Sequence, residues 1–488
     1  MAATTDFVLP PVTLRIGGEA RNTGVGIHHH VNPVTGRPDA QIPLAGAADV
    51  DDAVNAAHEA FALWKATPAG TRSRALLKLA QLVEEHTRDF VELAIADNGT
   101  ARSTAQATVS AAVEWIRYYA GWADKLPLGR ITSVAGAGGS FGHTLRQPYG
   151  VIGAIITWNA PLMSLSMKVP AALAAGNTMV VKPSELTPFS AMLFADLVTA
   201  AGIPEGVLNI VPGGAEAGAA LVEHKLVKKV TFTGGPETAR KITTACAQTF
   251  KPVLLELGGK SANLVFADAD LEAAAMHATF MAFGIMSGQA CALPTRLLVQ
   301  DSIYNAFVAS VGALASSFKV GNPQEADTIC GPVINEAAID RIDSMVSRAQ
   351  EQGAHLITGG QRLAGDLAGG FFYPPTVLAD VDPASELAQK EVFGPVLAIT
   401  RFSDEAEAVA LANSTDYGLS GYVWTGDARR AIRLAEALET GEVVVNGAPN
   451  AVAERPFGGI GHSGNGNEGG LEGLEEFFWT KSVAYGNG

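Results

Sequence analysis

The sequence predicts an α/β protein with a doubly wound, mainly parallel sheet and at least two domains. Three observations carry this. From residue 151 onward, short β-rich runs alternate with helical patterns, the order that builds parallel sheets. The chain has 488 residues, more than one ordinary hydrophobic core organises. Hydrophobic residues make up 48% and charged residues 17%, the balance of a well-packed globular protein rather than a disordered chain.

The first part reads mostly as covering helices. Residues up to about Asn32 form an extended lead-in, and Asn32-Pro33-Val34-Thr35-Gly36 is a turn. Asp49 is placed to cap a helix whose apolar positions Val50, Val54, Ala57, Phe61 and Trp64 recur at helical spacing. A second helix carries Leu76, Leu79, Ala80 and Val83, and a third runs from Val113 to Trp122. Residues 126–150 break the pattern with Gly, Ser and Thr, including Ala135-Gly-Ala-Gly-Gly139, and read as a hairpin excursion or a flexible loop.

Alternation then begins. Val151–Ile156, Thr178–Lys182, Val207–Val211, Val230–Thr233 and Val253–Leu257 are expected strands, with a helix capped by Thr187-Pro188 between the second and third. Ligands of such sheets bind beyond the carboxyl ends of the strands. That is where Asn159, Lys182 to Glu185, Thr233-Gly-Gly235 and Glu256 fall. A second α/β region follows Gly258-Gly259, with helices near 303–318 and 337–351 and strands near 397–402 and 443–446. A glycine-dense segment, Pro456 to Gly470, leads through a short helix to a strand-like tail, Thr480–Tyr485.

Composition excludes several functions. A net charge of −15 argues against a nucleic-acid partner, because phosphate binding needs a basic surface. Three cysteines, Cys246, Cys291 and Cys330, give no disulfide framework and fit a reducing, cytoplasmic setting. Met1 to Phe7 lacks the basic and apolar regions of a signal peptide. The most apolar segment, Leu271 to Met286, is too short to span a bilayer and reads as a buried helix, so no membrane association is expected. His28-His29-His30 face different directions without ligand partners nearby, and read as a surface loop rather than a metal site.

Within the second region, Phe283 to Arg296 stops an apolar helix at glycine and sets Cys291 on the turn before a strand. Cysteine statistics alone favour a packing residue there. No Gly-x-Gly-x-x-Gly follows the first strand, although Thr233-Gly-Gly235 entering a helix could hold a pyrophosphate. The ordered motifs decide the matter. Thr157-Trp-Asn159-Ala-Pro161, Lys182-Pro-Ser-Glu185, Phe232-Thr-Gly234, Glu256-Leu-Gly-Gly-Lys260, Gly288-Gln-Ala-Cys291, Glu391-Val-Phe-Gly-Pro395 and Pro456-Phe-Gly-Gly459 together closely resemble the aldehyde dehydrogenase superfamily, from about Asn32 to the tail.

The resemblance implies a Rossmann-type cofactor domain (1–125 and 151–256), a catalytic α/β domain (257–455), oligomerisation segments (126–150 and 471–488) and a return of 456–470 to the cofactor domain. It implies an NAD-dependent enzyme, with NADP possible, acting on a small-molecule aldehyde as a homodimer or homotetramer. Cys291 would be the nucleophile, Asn159 an oxyanion donor and Glu256 the base for hydrolysis, with Glu468 a second acidic residue nearby. For the cofactor it implies Ile156, Thr157, Trp158, Lys182, Ser184 and Glu185. It also implies Gly214, Phe232, Thr233, Gly234, Gly235 and Leu257, with Glu391 and Phe393 on the nicotinamide half. A carboxylate at Glu185 favours NAD, because it repels a 2′-phosphate.

Four positions depart from the family pattern: Gly235 for serine, Ala239 for glycine, Met286 for asparagine and Asn467 for arginine. By analogy the substrate tunnel is lined by Ala160, Met163, Ser164, Met167 and Ile285, and by Ala290, Ala292, Pro449, Ala451 and Phe457. These are small or apolar, without the cation a carboxylated substrate needs or the aromatic cage a quaternary ammonium needs. The expectation is a bulky neutral aldehyde, aromatic or terpenoid. The competing readings are a CoA-acylating relative, in which CoA replaces water, and a thiol-dependent ester hydrolase.

Overall fold

The computed structural model describes residues 7–126, 129, 131–133 and 141–486. Two large sheets organise it. In the first, the parallel strands Leu208–Ile210, Thr178–Lys182, Val151–Ile155, Val227–Thr233 and Val253–Glu256 lie side by side. Counted along the chain, their order is 3-2-1-4-5, so the winding reverses between Val151–Ile155 and Val227–Thr233, and a crevice opens there. Every residue of Val151–Ile155 and Thr178–Lys182 is buried, as a parallel sheet covered on both faces requires. Antiparallel strands close the edges: Leu14–Ile16 beside Leu208–Ile210, and Gly464–Asn465 beside Val253–Glu256.

The second sheet has the strand order His355–Thr358, Thr376–Ala379, Val396–Phe402, Arg296–Gln300, Ala262–Val265, Ser420–Trp424, Glu442–Val445. All its pairs are parallel except the first. A three-stranded sheet joins Ile131–Ser133, Phe141–Pro148 and the tail strand Phe478–Tyr485 within one chain. The excursion therefore contains a hairpin, while the glycine run Ala135–Gly139 lies outside the described residues.

Several local expectations need correction. The lead-in is built of strands, and the three histidines lie on the strand Gly26–Asn32, paired with Arg37–Leu44, rather than in a loop. Gly46, not Asp49, is the N-cap of the helix Ala47–Ala66; Asp49 stands at the third helical position and accepts the Gly46 N–H at 2.9 Å. Thr187 does not cap the helix Phe189–Ala200. Its first N–H groups go to the Asp97 carboxylate from another helix, a partner no local pattern reveals. The helix Thr87–Asn98 went unread, and it ends at Gly99 with φ +73°. The apolar run from Leu271 is a regular helix only to Thr279, and Met276 and Phe280 are exposed. Among the described residues no helix is long and apolar enough to cross a membrane, and no cluster of His, Cys, Asp and Glu is arranged to hold a metal.

Candidate active site

The cysteine turn is a strained piece of backbone. After the helix Leu271–Thr279 comes a wider π turn, Phe280–Gly284, and a 3₁₀ turn, Met286–Gly288. Met286, Ser287 and Gly288 all take left-handed φ, +50°, +53° and +76°. Side chains hold this shape from outside: Ser287 Oγ donates to the Gly331 carbonyl at 2.9 Å, and Gln289 Oε1 accepts the Ile334 N–H at 2.9 Å. Gly288 must lack a side chain because its Cβ would collide with the Gly394 carbonyl, which brings the Glu391–Pro395 motif onto the turn.

Cys291 follows, half-buried as a residue but with its thiol enclosed by protein. Burial, then the charges of Glu391 and Glu256, push that thiol up to about 12. A Cβ on Gly259 would stand 2.5 Å from the Cys291 carbonyl oxygen, so the Glu256–Lys260 turn rests directly on the backbone of Cys291. Cys246 and Cys330 are buried.

Asn159 lies beyond the first parallel strand and is buried. Its Nδ2 donates to the Gln289 carbonyl at 2.8 Å, which joins the first sheet's crevice to the cysteine turn. Glu256 ends the fifth parallel strand, is 2% exposed, and neither carboxyl oxygen has a hydrogen-bond partner. Burial first, and then the Glu468 charge, hold its carboxyl well above the usual range, while Lys168 acts in the opposite direction. Lys168 forms a buried ion pair with Glu468 and donates to Thr231 Oγ1 at 3.1 Å. Tyr119 OH accepts the Gly469 N–H at 2.7 Å and fixes the Glu468 segment. Lys168, Thr231 and Tyr119 escaped the sequence reading. The available signal was Lys168 itself, one charge inside the otherwise uncharged helix Pro161–Ala174.

The expected cofactor residues follow the carboxyl ends of the strands Val151–Ile155, Thr178–Lys182 and Val227–Thr233, and Phe393 joins them through Trp158. Trp158 and Phe393 meet edge to face, with ring centroids 5.3 Å apart. Glu391 accepts the Gly259 N–H at 3.1 Å, and burial pushes its carboxyl to about 7. Lys182 Nζ donates to the carbonyls of Gly213 at 2.5 Å and Pro183 at 3.1 Å; burial lowers its pKa, and the Glu185 charge partly restores it. Ser184 Oγ accepts the Leu186 N–H, and the Ile156 N–H bonds the Lys182 carbonyl, which ties the first two strand ends together.

Gly214 and Gly235 each stand at a helix N-terminus with open space where a side chain would project. Phe232 underlies Gly234, and Phe232 and Leu257 share an apolar cluster. Thr157 is half-buried. Thr233 Oγ1 is buried without a partner next to the N-terminus of the helix Pro236–Ala247. An orphaned hydroxyl beside free helix N–H groups fits a pyrophosphate.

The expected pocket residues only partly converge. Met163, Met167, Cys291, Ala292, Ala451 and Phe457 belong to one apolar cluster. Ala160 and Met286 line a small cavity with Asn159, and Ser164 is buried. Ile285 and Ala290 are half-buried turn residues outside the cluster, and Pro449 is exposed. Three side chains that sequence reasoning missed hold the wall: Trp115 donates to the Ala451 carbonyl at 3.2 Å, Asn450 donates to Tyr422 OH at 2.9 Å, and Tyr422 donates to the Ala292 carbonyl at 2.8 Å. A separate cleft of about 750 Å³, between the helix Pro236–Ala247 and residues 461–465, includes none of Cys291, Glu256 and Asn159.

Comparison with known proteins agrees with this geometry. The model of the aldehyde dehydrogenase family matches residues 22–483. An aldehyde dehydrogenase of Emericella nidulans is 41% identical over 458 residues, covering 93% of this chain and 91% of that one. The crystal structure of PnpE from Pseudomonas sp. WBC-3 superposes with a TM-score of 0.94 at 39% identity, over 98% of each chain. The NAD+ complex of an aldehyde dehydrogenase from Bacillus cereus gives 0.93 at 36% identity, over 98% of this chain and 96% of that one. Fold and family match thus define an oxidoreductase built on a Rossmann-type sheet. The chain belongs to the aldehyde dehydrogenase family.

Proposed function

We propose that this enzyme oxidises a bulky, uncharged aldehyde to its carboxylic acid with NAD+, through a thioester on Cys291. The observation that carries hydrolysis rather than CoA transfer is Glu256, a buried carboxyl with both oxygens unpartnered, whose charge acts on the Cys291 thiol. Cys291 Sγ bonds to the carbonyl carbon as its proton passes to a base. The resulting oxyanion takes hydrogen bonds from the second N–H of Asn159 Nδ2 and the Cys291 backbone N–H. One such donor typically contributes about 3–4 kcal/mol to the transition state. NAD+, when bound, supplies the hydride acceptor. Glu256 then takes a proton from the water that attacks the thioester; the C–S bond breaks and the thiol is restored.

NAD+ fits the crevice residues, and the Bacillus cereus relative was solved with it. Lys182, Ser184 and Glu185 would hold the adenosine ribose, Thr233 to Gly235 the pyrophosphate, and Glu391 and Phe393 the nicotinamide half. The Glu185 carboxylate disfavours NADP. In this reading 1–125, 151–256 and 456–470 form the cofactor unit and 257–455 the catalytic one. Residues 126–150 and 471–488 join subunits of a cytoplasmic homodimer or homotetramer through the free edges of their sheet. The substrate class rests on the apolar character of the expected pocket residues, of which Met163, Met167, Ala292, Ala451 and Phe457 share with Cys291 one apolar cluster. A panel of aldehydes with NAD+ and NADP+, with and without CoA, tests the whole: preference for succinic semialdehyde or betaine aldehyde, or formation of acyl-CoA, contradicts it.

A further inference from the structure

The three histidines have no part in this chemistry, yet one of them is built into the core. The strand Gly26–Asn32 turns His30 inward to 1% exposure, with its ring edge-on to Phe189 at 5.0 Å. Nδ1 lies 2.5 Å from Asp39 Oδ1 on the paired strand, and Nε2 lies 3.3 Å from the main-chain oxygen of Asp97. Both partners only accept. A neutral imidazole carries one N–H, so the imidazolium alone satisfies both contacts.

Asp97 is fully buried, and its carboxylate accepts from the backbone N–H groups of Phe189 (3.1 Å) and Ser190 (3.2 Å) and from Ser190 Oγ (3.0 Å). The next residue reaches the active site. Asn98 Nδ2 donates to the main-chain oxygens of Asn159 at 2.6 Å and Trp158 at 3.3 Å. Its Oδ1 accepts from Thr100 N at 3.2 Å and Thr100 Oγ1 at 2.6 Å. Asn159 is thereby pinned at both ends, its backbone by Asn98 and its amide by the Gln289 carbonyl.

We propose that Asn98 is a positioning residue for the oxyanion donor Asn159, and that protonated His30 fixes the Asp97–Asn98 peptide from which it acts. This rests on the reading of Asn159 as the oxyanion donor. The amide has one N–H left for the substrate oxygen, and its aim depends on the backbone that Asn98 holds. Displacement by about an ångström typically costs on the order of a hundredfold in rate.

The groups facing His30 are Asp39 from the paired strand, Asp97 from the helix Thr87–Asn98, Phe189 from the helix Phe189–Ala200, and His28 and His29 on its own strand. Burial works against its charge, but Asp39 and Asp97 outweigh burial and raise its pKa. The stabilisation His30 provides is therefore complete below an imidazole's ordinary pKa of about 6.5, and is lost as pH rises through the raised folded value.

The test measures kcat per alkylatable Cys291 thiol in full-length Asn98→Ala and Asn159→Ala enzymes, with NAD+ affinity as a control. Asn98→Ala is expected to lower kcat roughly tenfold to a hundredfold while the aldehyde KM and NAD+ affinity change little. If Asn159→Ala is impaired and Asn98→Ala keeps full kcat, the positioning role is overturned and the oxyanion reading survives. If Asn159→Ala keeps full kcat, the oxyanion reading falls. Asn98→Asp, which keeps the shape but loses both donors, serves if the alanine variant does not fold. For His30, the difference in unfolding midpoint between wild type and His30→Gln is expected to shrink as pH rises from 6 to about 9. A pH-independent difference rules out the imidazolium.

Discussion

Lys168 and Glu468 form an ion pair whose side chains are 1% and 5% exposed, and it stands beside a third buried ionisable group, Glu256. An isolated carboxylate at that depth is costly, so burial sets how reluctantly Glu256 ionises and the pair acts on top of it. Burial and Glu468 raise its pKa, and the Lys168 ammonium offsets part of that rise.

The acid limb of the pH profile for thioester hydrolysis is therefore expected well above the ordinary carboxylate pKa of about 4.3. Removing the ammonium in Lys168→Met leaves Glu468 acting alone, so the limb should move to still higher pH. Stopped-flow and steady-state rates between pH 5 and 9 check this. A limb that stays in place would show that Lys168 has only a packing role.

Glu256→Gln is expected to leave acylation in place and stall hydrolysis. The variant should release about one equivalent of reduced cofactor per active site in a burst, followed by turnover slower by on the order of a hundredfold or more. Rapid mixing with NAD+ and aldehyde measures both phases, and mass spectrometry should find the acyl group on Cys291.

Met286 holds φ +50° on the cysteine turn, where a straight apolar side chain gains nothing locally. Asparagine tolerates that region by bonding to nearby backbone. Met286→Asn is expected to stabilise the fold by about 1 kcal/mol, read as a higher denaturant midpoint with activity retained.

Gly235 has φ −79°, and no atom lies within 4 Å of the position a Cβ would take. A serine fits without strain and offers a hydroxyl toward the expected pyrophosphate. Gly235→Ser should tighten NAD+ binding roughly threefold to tenfold, the worth of one hydrogen bond of about 0.5–1.5 kcal/mol. Fluorescence titration gives the constant, and kcat should change little.

Glu185→Ala is expected to raise the NADP+/NAD+ ratio of kcat/KM by at least about tenfold, since one carboxylate–phosphate repulsion is removed while a ribose contact is lost. Unchanged cofactor preference would move the adenosine ribose away from Glu185.

The sequence by itself determined the parallel sheet, because runs such as Val151–Ile156 and Thr178–Lys182 are too apolar and too short to be anything but doubly covered strands. It also determined the order of the motifs, and so the candidate nucleophile, oxyanion amide and base. Tertiary structure alone decided the interactions that cross long separations. Lys168 meets Glu468 across 300 residues, Asp97 caps a helix 92 residues away, and Asn98 reaches the backbone of Asn159 across 61. No periodicity records such pairs, because a buried polar group needs a partner in space and the chain can supply it from any element. It is also why Cys291 looked like a packing residue by composition. The burial of its thiol, the charges of Glu391 and Glu256 that act on it, and the approach of Gly259 to its backbone carbonyl exist only once both sheets have formed.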